Sequence, residues 1–332
     1  MEKKYIHRMI HAKGSEQASI TSANNHMKKV IILKNGGGEL ANQLWNYISI
    51  YAYGIEKNRS IKNPSFFEYH SYFNFIKDES VLTKFFSFWF KNFSGRRSSF
   101  RSQLWRKVYI LYVYTLTLFN KKNTISSENT KGEKVYLSPT QESVPDENIQ
   151  TLYFTGWLFR NPLGLEKHRQ NIVKAFAPEE SITKKVTSII RDIDNRYGTI
   201  IGVHIRQADY AFFKDGKYLL TQERVRKVID EYCVAKNIQV DKTLFLITSD
   251  GPVQENIFKG LNIHISKEKA VIDLFLLSSC DEILGSDSSF GAFASWYGNI
   301  PHIIMTKENM DWEYYKDKTT FFQNKYSTLA HY

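Results

Sequence analysis

The sequence is poor in cysteine and has no apolar leader. Cys233 and Cys280 are the only cysteines in 332 residues, so at most one disulfide could form. This scarcity argues against a disulfide-built secreted domain and predicts a reducing, cytoplasmic location. Hydrophobic residues make up 42% of the chain and charged residues 24%, which excludes disordered and collagen-like chains. The length predicts two domains.

The charge of the chain is unbalanced toward the basic side. Lys and Arg number 45 against 34 Asp and Glu, which gives a formal net charge of +11. Such an excess favours an anionic partner: nucleic acid, a phosphorylated small molecule or an acidic membrane face. The sign of the net charge restricts the class of binding partner, but it does not indicate which reaction, if any, the protein catalyses.

Short β-branched runs alternate with longer helical stretches from residue 27 onward, a pattern typical of βα units that build parallel sheets. The predicted strands are 29–33, 151–155, 199–204, 244–248, 262–265, 282–285 and 302–305. The predicted helices are 41–57, 162–176, 180–196, 222–235, 271–279 and 290–298. The sequence therefore predicts an α/β protein with doubly wound sheets.

The same pattern predicts how the chain divides. Residues 1–26 show no usable period and are predicted to be a leader or a disordered arm. A break at 195–198 (NRYG) places a seam near residue 196. We expect one domain over 27–195, a second over 196–310 and a C-terminal tail over 311–332, with the two sheets facing a cleft.

Residues 80–127 form a basic and aromatic segment with nine Lys or Arg and no Asp or Glu. Its longest uncharged stretch, 108–120, is shorter than the roughly 20 residues that a membrane-spanning helix needs. Three interpretations stay open. The segment is an insertion whose aromatic side chains pack on its own domain, a surface for an anionic membrane, or a stacking surface for single-stranded nucleic acid.

A glycine-rich turn, 35–43 (NGGGELANQ), joins the first predicted strand to the first predicted helix. Gly37 and Gly38 allow close approach of a ligand to the backbone, and the helix start presents N–H groups to an anion or a sugar hydroxyl. A tight βα corner with nothing bound explains the turn equally well. The spacing is neither that of a Walker loop nor that of the G-x-G-x-x-G fingerprint.

A second candidate, 203–210 (VHIRQADY), lies at the end of an apolar strand. His204 and Arg206 share one face there, at the carboxyl end of the strand, where open α/β sheets bind ligands. Arg206 can donate two hydrogen bonds to phosphate oxygens, and Asp209 would orient Arg206 or hold a ligand hydroxyl. The alternative is a structural Arg–Asp pair, with His204 as a hydrogen-bonded core imidazole.

Small polar residues follow two further predicted strands, at 248–250 (TSD) and 285–290 (GSDSSF). Ser288 and Ser289, at a predicted helix start, could receive a phosphate through backbone N–H groups and hydroxyls. Ordinary helix capping is the alternative. The two cysteines are isolated from each other in the sequence, and no metal site is predicted.

Taken in chain order, these elements resemble the bacterial α-1,2-fucosyltransferases. GGGELANQLWNY is similar to the G-G-x-G-N-Q element of that family, HIRQADY to H-x-R-R-G-D-Y, and FLITSD to a strand that ends in S-D. DLFLLSSCDEILGSDSSFGAFASWYG resembles D-x-x-L-M-S-x-C and N-S-S-F-S-W-W, and FTGW resembles G-Y-W-Q. The resemblance runs from about residue 27 to residue 305, and H-x-R-x-x-D is shared with protein O-fucosyltransferases. Gln207 and Ala208 stand where the family has a second Arg and a Gly.

The resemblance implies a GT-B-like fold of two Rossmann-like domains, with the acceptor on 27–195 and the donor on 196–310. It implies GDP-fucose as donor substrate, no separate cofactor, inversion at the anomeric carbon and no bound metal. Arg206 would bind the β-phosphate and stabilise the leaving group. The further donor contacts would be His204, Asp209, Asp250, Asp273, Ser288, Ser289 and Phe290, and the residues that position acceptor or donor would be Gly37, Gly38, Asn42, Gln43 and Trp157. Glu39 is the candidate general base. Alternatively, Glu39 is only a first-turn acid that the dipole of the following helix favours.

The sequence thus predicts a metal-independent, inverting glycosyltransferase that moves fucose from GDP-fucose to a glycan hydroxyl, with an α-1,2 linkage. The basic segment 80–127 would suit a lipid-linked glycan and peripheral contact with the anionic inner face of a membrane; no nucleic-acid partner is expected. Two alternatives stay open: a basic nucleic-acid-binding protein, and a transferase fold that has lost activity and only binds glycan.

Overall fold

The computed structural model describes residues 28–34, 38–74, 100–127, 133–137, 148–208, 210–316 and 326–332. The chain forms two compact units that divide between Glu179 and Glu180. Leu329–Tyr332 return to the N-terminal unit. The predicted leader, Gly37, the first part of the basic segment (80–99), Asp209 and part of the predicted tail (317–325) lie outside the described residues.

The elements alternate along the chain as expected for βα units. The described strands are β1 (Lys29–Lys34), β2 (Ser60–Lys62), β3 (Thr124–Ser126), β4 (Val135–Tyr136), β5 (Thr151–Thr155), β6 (Phe159–Arg160), β7 (Thr199–Ile205), β8 (Thr243–Ser249), β9 (Ile263–Ile265), β10 (Glu282–Gly285) and β11 (His302–Ile304). The described α-helices are α1 (Leu40–Glu56), α2 (Phe100–Phe119), α3 (Pro162–Lys167), α4 (Arg169–Ala175), α5 (Glu180–Asp194), α6 (Gln222–Ala235), α7 (Ala270–Ser278), α8 (Ser289–Gly298) and α9 (Tyr326–His331).

The N-terminal unit is built on a parallel sheet with the strand order β2-β1-β5-β3. Helix α1 is buried along most of its length, with Leu44, Trp45 and Ile48 in the core. A second, two-stranded parallel sheet pairs β4 with β6. Tyr332 stacks on Trp45 with ring centroids 6.1 Å apart, so the end of the chain packs on this unit.

The C-terminal unit is built on a five-stranded parallel sheet with the order β11-β10-β7-β8-β9. Strand β7 is buried and alternates between two faces, as the period of a strand requires. Ile201, Val203 and Ile205 join the core formed with α6. On the other face a Cβ at Gly202 would lie 2.8 Å from Leu277 Cδ2, so α7 packs closely there.

The structure confirms the predicted α/β class with parallel sheets. The longer predicted strands and helices agree with the observed bounds to within two residues, except that predicted helix 162–176 is two helices separated at His168. Strands β2, β3, β4 and β6 and helices α2 and α9 were not predicted. The boundary between the units lies before α5, not near residue 196, because Ile182, Val186 and Ile190 face the C-terminal unit, where α5 contacts β7 and α7.

Helix α2 occupies the second half of the basic segment. None of the helices in the described part of the chain is long and apolar enough to cross a membrane.

Candidate functional site

The candidate donor site lies at the carboxyl edge of the C-terminal sheet. The chain proceeds from β7 to β8 and β9 on one side and then crosses to β10 on the other side of β7. Loops after β7 and β10 therefore diverge, and open α/β sheets bind ligands at such a switch point. The β7 loop carries Arg206, and the β10 loop carries Ser286 and Ser288.

Arg206 directly follows β7, and its side chain is partly buried. Its Nε lies 3.1 Å from Asp250 Oδ2, with 21% and 24% of the two side chains exposed. The guanidinium carbon lies 5.8 Å from the centre of the Tyr210 ring. The Arg206 backbone N–H donates to Ser286 Oγ at 3.1 Å. Paired N–H donors of a guanidinium match the oxygens of a phosphate, so an arginine fixed at this edge of the sheet suits a phosphate ligand.

Asp250 fixes the loop that carries Arg206. Its Oδ1 accepts the backbone N–H groups of Gln207 at 2.6 Å and Ala208 at 3.2 Å. Gln207 in turn donates to Ser249 Oγ at 2.7 Å and to Pro252 O at 3.1 Å. The carboxylate therefore positions Arg206, and Gln207 ties the β7 loop to the β8 loop. A direct nucleotide contact by Asp250 stays a prediction.

His204 lies beneath this loop as a neutral imidazole. Burial, with the nearby Arg206 charge, lowers the pKa of His204 to about 3. Its Nδ1 lies 3.3 Å from Thr248 Oγ1, and its ring stacks on Phe290 with centroids 4.9 Å apart. Its Nε2 is buried without a hydrogen-bond partner among the residues that the structure describes. The structure thus brings His204 and Phe290 together, as a pair that closes the floor of the site.

The start of α8 lies on the β10 side of the candidate donor site. Ser288 is the N-cap residue, and its Oγ accepts the Gly291 N–H at 3.5 Å, so the capping role weighed from the sequence is present. Ser286 is fully buried, and its backbone N–H donates to His204 O at 3.0 Å. Ser289 begins the helix and is half-buried. The first-turn N–H groups of α8 make this an electropositive end beside Arg206.

Asp273 lies in the first turn of α7 and is buried. Burial raises the pKa of Asp273 to about 6, against the opposing effect of a hydrogen bond from Ser266. Ser266 follows β9, and its backbone N–H donates to Ile247 O at 2.9 Å. Asp273 is therefore at the same carboxyl edge of the sheet, on the β8–β9 side. A buried carboxylate with a raised pKa is typical of functional sites, although structural pairs also show it.

The candidate acceptor residues lie at the carboxyl edge of the N-terminal sheet. Gln43 Nε2 donates to Gly38 O at 3.0 Å, and a Cβ at Gly38 would lie 2.4 Å from Asn42 Cβ. Gly38, Asn42 and Gln43 thus form one tight corner at the start of α1. Glu39 occupies the N-cap position without capping the helix through its side chain. Its exposed carboxylate accepts a hydrogen bond from Tyr69 OH at 3.0 Å.

Trp157 follows β5 at the same edge, and 46% of its surface is exposed. Gly156 precedes it with φ 116°, a conformation that favours glycine, and its N–H donates to Lys34 O at 2.9 Å. Asn46 of α1 fixes this loop by donating to Gly156 O at 3.1 Å and accepting the Phe159 N–H at 3.2 Å. The β1 and β5 loops therefore meet at the switch point of this sheet.

Several side chains in these two regions were not predicted as site residues. Thr248, Ser286 and Tyr210 contact the predicted donor residues, and only their place in the TSD, GSDSS and HIRQADY patterns pointed to them. Arg160 is 5% exposed and donates through Nη1 to Trp157 O at 3.1 Å and Phe159 O at 2.8 Å. Burial lowers the pKa of Arg160 to about 10. No sequence signal distinguished it from a surface arginine.

Two of the predicted site residues are not among the residues that the structure describes. Asp209 and Gly37 lie outside the described residues, so their roles stay predictions. Within the described part of the chain, no group of three or more His, Cys, Asp or Glu is arranged to hold a metal ion.

Two units, each built on a parallel sheet and one with an arginine and a helix start at its switch point, define an α/β protein of two Rossmann-like units. The sequence profile of Glycosyl transferase family 11 matches residues 151–329, more than half of the chain. The chain belongs to this family.

Comparisons with individual proteins agree with this assignment. Galactoside alpha-(1,2)-fucosyltransferase 2 of Gorilla gorilla gorilla is 25% identical over 46% of this chain and 46% of that protein. The match thus spans about half the length of this curated relative.

Solved structures share the fold at low identity. FUT1 of Arabidopsis thaliana, a variant in complex with GDP, covers 93% of this chain and 74% of its own, with 15% identity and a TM-score of 0.50. POFUT1 in complex with GDP-fucose covers 85% of this chain and 99% of its own, with 13% identity and a TM-score of 0.53. The fold matches these GT-B-like fucosyltransferases.

Proposed function

We propose that this protein is a fucosyltransferase that moves fucose from GDP-fucose to a glycan hydroxyl. The observation that carries the proposal is Arg206, held by Asp250 at the switch point of the C-terminal sheet and beside the start of α8. Family membership and the GDP and GDP-fucose complexes of fucosyltransferases with this fold support the choice of donor.

Breaking the bond between fucose and GDP places negative charge on the departing β-phosphate. A fixed guanidinium and helix-start N–H groups stabilise that charge without reorganising, which lowers the barrier most when water is excluded. Arg206 would bind the β-phosphate, and Ser288, Ser289 and Phe290 would hold the rest of the nucleotide with His204. Asp273 would accept hydrogen bonds from nucleotide N–H or O–H groups. We propose on these grounds that transfer requires no divalent metal.

The acceptor would bind at the N-terminal unit, where Asn42 and Trp157 lie at one edge of the sheet. An exposed indole suits stacking on the apolar face of a sugar ring. Glu39 is the group we propose to receive the acceptor proton, with inversion at the anomeric carbon. The α-1,2 linkage is proposed because the family motifs resemble those of α-1,2-fucosyltransferases and the gorilla relative carries that linkage in its name.

The first experiment measures fucose transfer and donor hydrolysis with GDP-fucose, GDP-mannose and UDP-sugars, with EDTA present throughout. We expect turnover with GDP-fucose alone. The Arg206→Ala variant should lower turnover by about 10²-fold, as expected for loss of one fixed charge that faces the leaving group. Arg191→Ala, which changes an exposed arginine of α5 in the same unit, is the matched control and should keep full activity.

The role of Asp250 is tested in the same assay by a double-mutant cycle. Because Asp250 would act by holding Arg206, the Arg206→Ala/Asp250→Ala enzyme should be no slower than Arg206→Ala alone. Additive losses would assign Asp250 a separate contact with the nucleotide. Full turnover in a folded Arg206→Ala enzyme would refute the proposed function, and loss of all turnover in EDTA would refute metal independence.

A further inference from the structure

Helix α2 docks on the N-terminal unit through one side. Tyr109 is buried, and its OH donates to Leu33 O at 2.6 Å. Its ring meets Phe67 edge to face, with centroids 5.2 Å apart, and Tyr112 and Val113 pack around this pair. Arg106 forms an ion pair with Glu68. These contacts fix the rotation of the helix about its own axis.

That rotation leaves a continuous apolar face on the opposite side. Leu111 is 64% exposed, and Phe119, the last helix residue, is 87% exposed. The apolar face consists of Leu104, Val108, Ile110, Leu111, Tyr114, Leu118 and Phe119. Its members are spaced mainly by three and four residues, so they lie side by side along one stripe. Single exposed apolar residues need no explanation, whereas a contiguous face of this kind marks an interaction surface.

The threonine hydroxyls of the helix bond to carbonyl groups of the helix itself. Thr115 Oγ1 donates to Tyr112 O at 2.8 Å, and Thr117 Oγ1 donates to Tyr114 O at 2.9 Å. Because these hydroxyls already have partners in the helix, Thr115 and Thr117 can leave water without losing their hydrogen bonds.

Charge decides between the possible occupants of this face. Residues 80–127 contain no Asp or Glu. Exposed Lys107 lies between Leu104 and Leu111 on this side of the helix, and exposed Lys121 and Lys122 follow the end of the helix. A second copy of the chain, with the same net charge of +11, would bring like charges together. An anionic lipid surface offers the complementary charge and attracts each lysine or arginine near it.

We propose that α2 is a membrane-docking helix, whose apolar face enters the interfacial region of an anionic bilayer while Lys107, Lys121 and Lys122 contact lipid headgroups. The inference goes beyond the proposed function, and it would bring the protein to the surface where lipid-linked glycans are found. Cytoplasmic membrane leaflets carry such anionic lipids, so the expected cytoplasmic location and this surface are compatible. Binding then depends on both the apolar area and the lysines.

The test is sedimentation of the full chain with vesicles of phosphatidylcholine alone or with one quarter phosphatidylglycerol. We expect binding to the anionic vesicles, with an affinity that falls as salt is raised above about 0.1 M. Leu111→Gln/Leu118→Gln and Lys121→Glu/Lys122→Glu should each weaken binding by about tenfold or more. Val234→Gln, which changes an apolar residue of α6 that is 83% exposed in the other unit, is the matched control and should bind like the wild type.

Donor hydrolysis should be unchanged in every one of these variants, which shows that they fold and separates this proposal from the proposed function. Failure of the wild-type protein to sediment with anionic vesicles would overturn the proposal. A concentration-dependent dimer in light scattering that Leu111→Gln/Leu118→Gln abolishes would also overturn it, because a second copy would then be the occupant. Equal binding by wild type and Leu111→Gln/Leu118→Gln would locate any membrane contact elsewhere.

Discussion

Burial shifts the pKa values of two ionisable residues of the candidate donor site in opposite directions. His204 is neutral at pH 7 because burial lowers its pKa to about 3. Asp273 instead is a buried acid whose pKa is raised to about 6, mainly by burial. A buried carboxylate that ionises at neutral pH lowers the stability of the fold. A buried acid of this kind is more frequent at binding sites than in structural cores, which agrees with the donor contact predicted for Asp273.

We predict that Asp273→Asn raises the free energy of unfolding at pH 8. The folded pKa of about 6 lies above the ordinary value of 3.8, so the stability that Asp273 contributes is fully present below pH 3.8 and is lost as pH rises through 6. Asn removes this loss and keeps an oxygen for Ser266, so the gain should be about 1–3 kcal/mol at pH 8 and disappear near pH 3.5. Urea denaturation at several pH values measures it.

The control for this change is Asp241→Asn, an exposed carboxylate of the same unit, which should not alter the pH dependence. If Asp273 holds the donor, the stabilised Asp273→Asn protein should also lose part of the thermal stabilisation by GDP. A variant that is less stable than the wild type at pH 8 would contradict the prediction.

At the scale of elements, α7 and α8 pack together at unusually close range. A Cβ at Gly298 would lie 2.1 Å from Ser278 O, the last carbonyl of α7. The next residue, Asn299, ends α8 in the left-handed region with φ 54°. Because Gly298 has no side chain, α8 can pack closely against the end of α7. The first turn of α8 is the part that would hold the nucleotide.

We predict that Gly298→Ala destabilises the C-terminal unit by about 1–3 kcal/mol, because the clash is with backbone and the helices must separate. Gly198→Ala is the matched control: it lies in a loop where an added Cβ meets nothing within 4 Å, and its effect should be within about 0.5 kcal/mol. Thermal unfolding of both variants tests the pair. Equal melting temperatures would show that α7 and α8 adjust without cost.

At the scale of the whole molecule, the two units have separate cores and different predicted ligands. The predicted donor residues His204, Arg206 and Ser288 all belong to the C-terminal unit. The predicted acceptor-side residues Glu39 and Trp157 belong to the N-terminal unit. A ligand stabilises the part of a protein that binds it, by mass action. A nucleotide added without an acceptor should therefore stabilise the C-terminal unit and not the N-terminal unit.

We predict that GDP slows amide hydrogen exchange in residues 204–208, 249–254 and 285–292 of the C-terminal unit, and leaves 38–46 and 153–160 of the N-terminal unit unchanged. Exchange followed by mass spectrometry measures both sets in one experiment. Arg206→Ala should lose most of the protection at the same GDP concentration. Protection confined to the glycine-rich corner of the N-terminal unit would reverse the assignment of donor and acceptor.

The elements that the sequence predicted best are those with a strong hydrophobic period. Strands β5 and β10 and helix α6 have the predicted bounds, because each combines a clear apolar pattern with a cap or turn at its ends. Strands β2 and β3 have three residues each, too few to show a period. Helix α2 was missed because apolar residues lie on both its docked and its exposed sides, so it shows no single core-facing stripe.

The sequence by itself determined the parallel α/β class and the strand ends at which His204, Arg206 and Trp157 lie, because local periodicity and strand polarity suffice for both. Only the tertiary structure decided that Asp250 holds Arg206 and that one side of α2 is exposed. Those relations join residues far apart in the chain or depend on how a helix is rotated, and rotation is set by packing against its neighbours. Local sequence carries no record of that packing, so the partners of each charged group had to come from the fold.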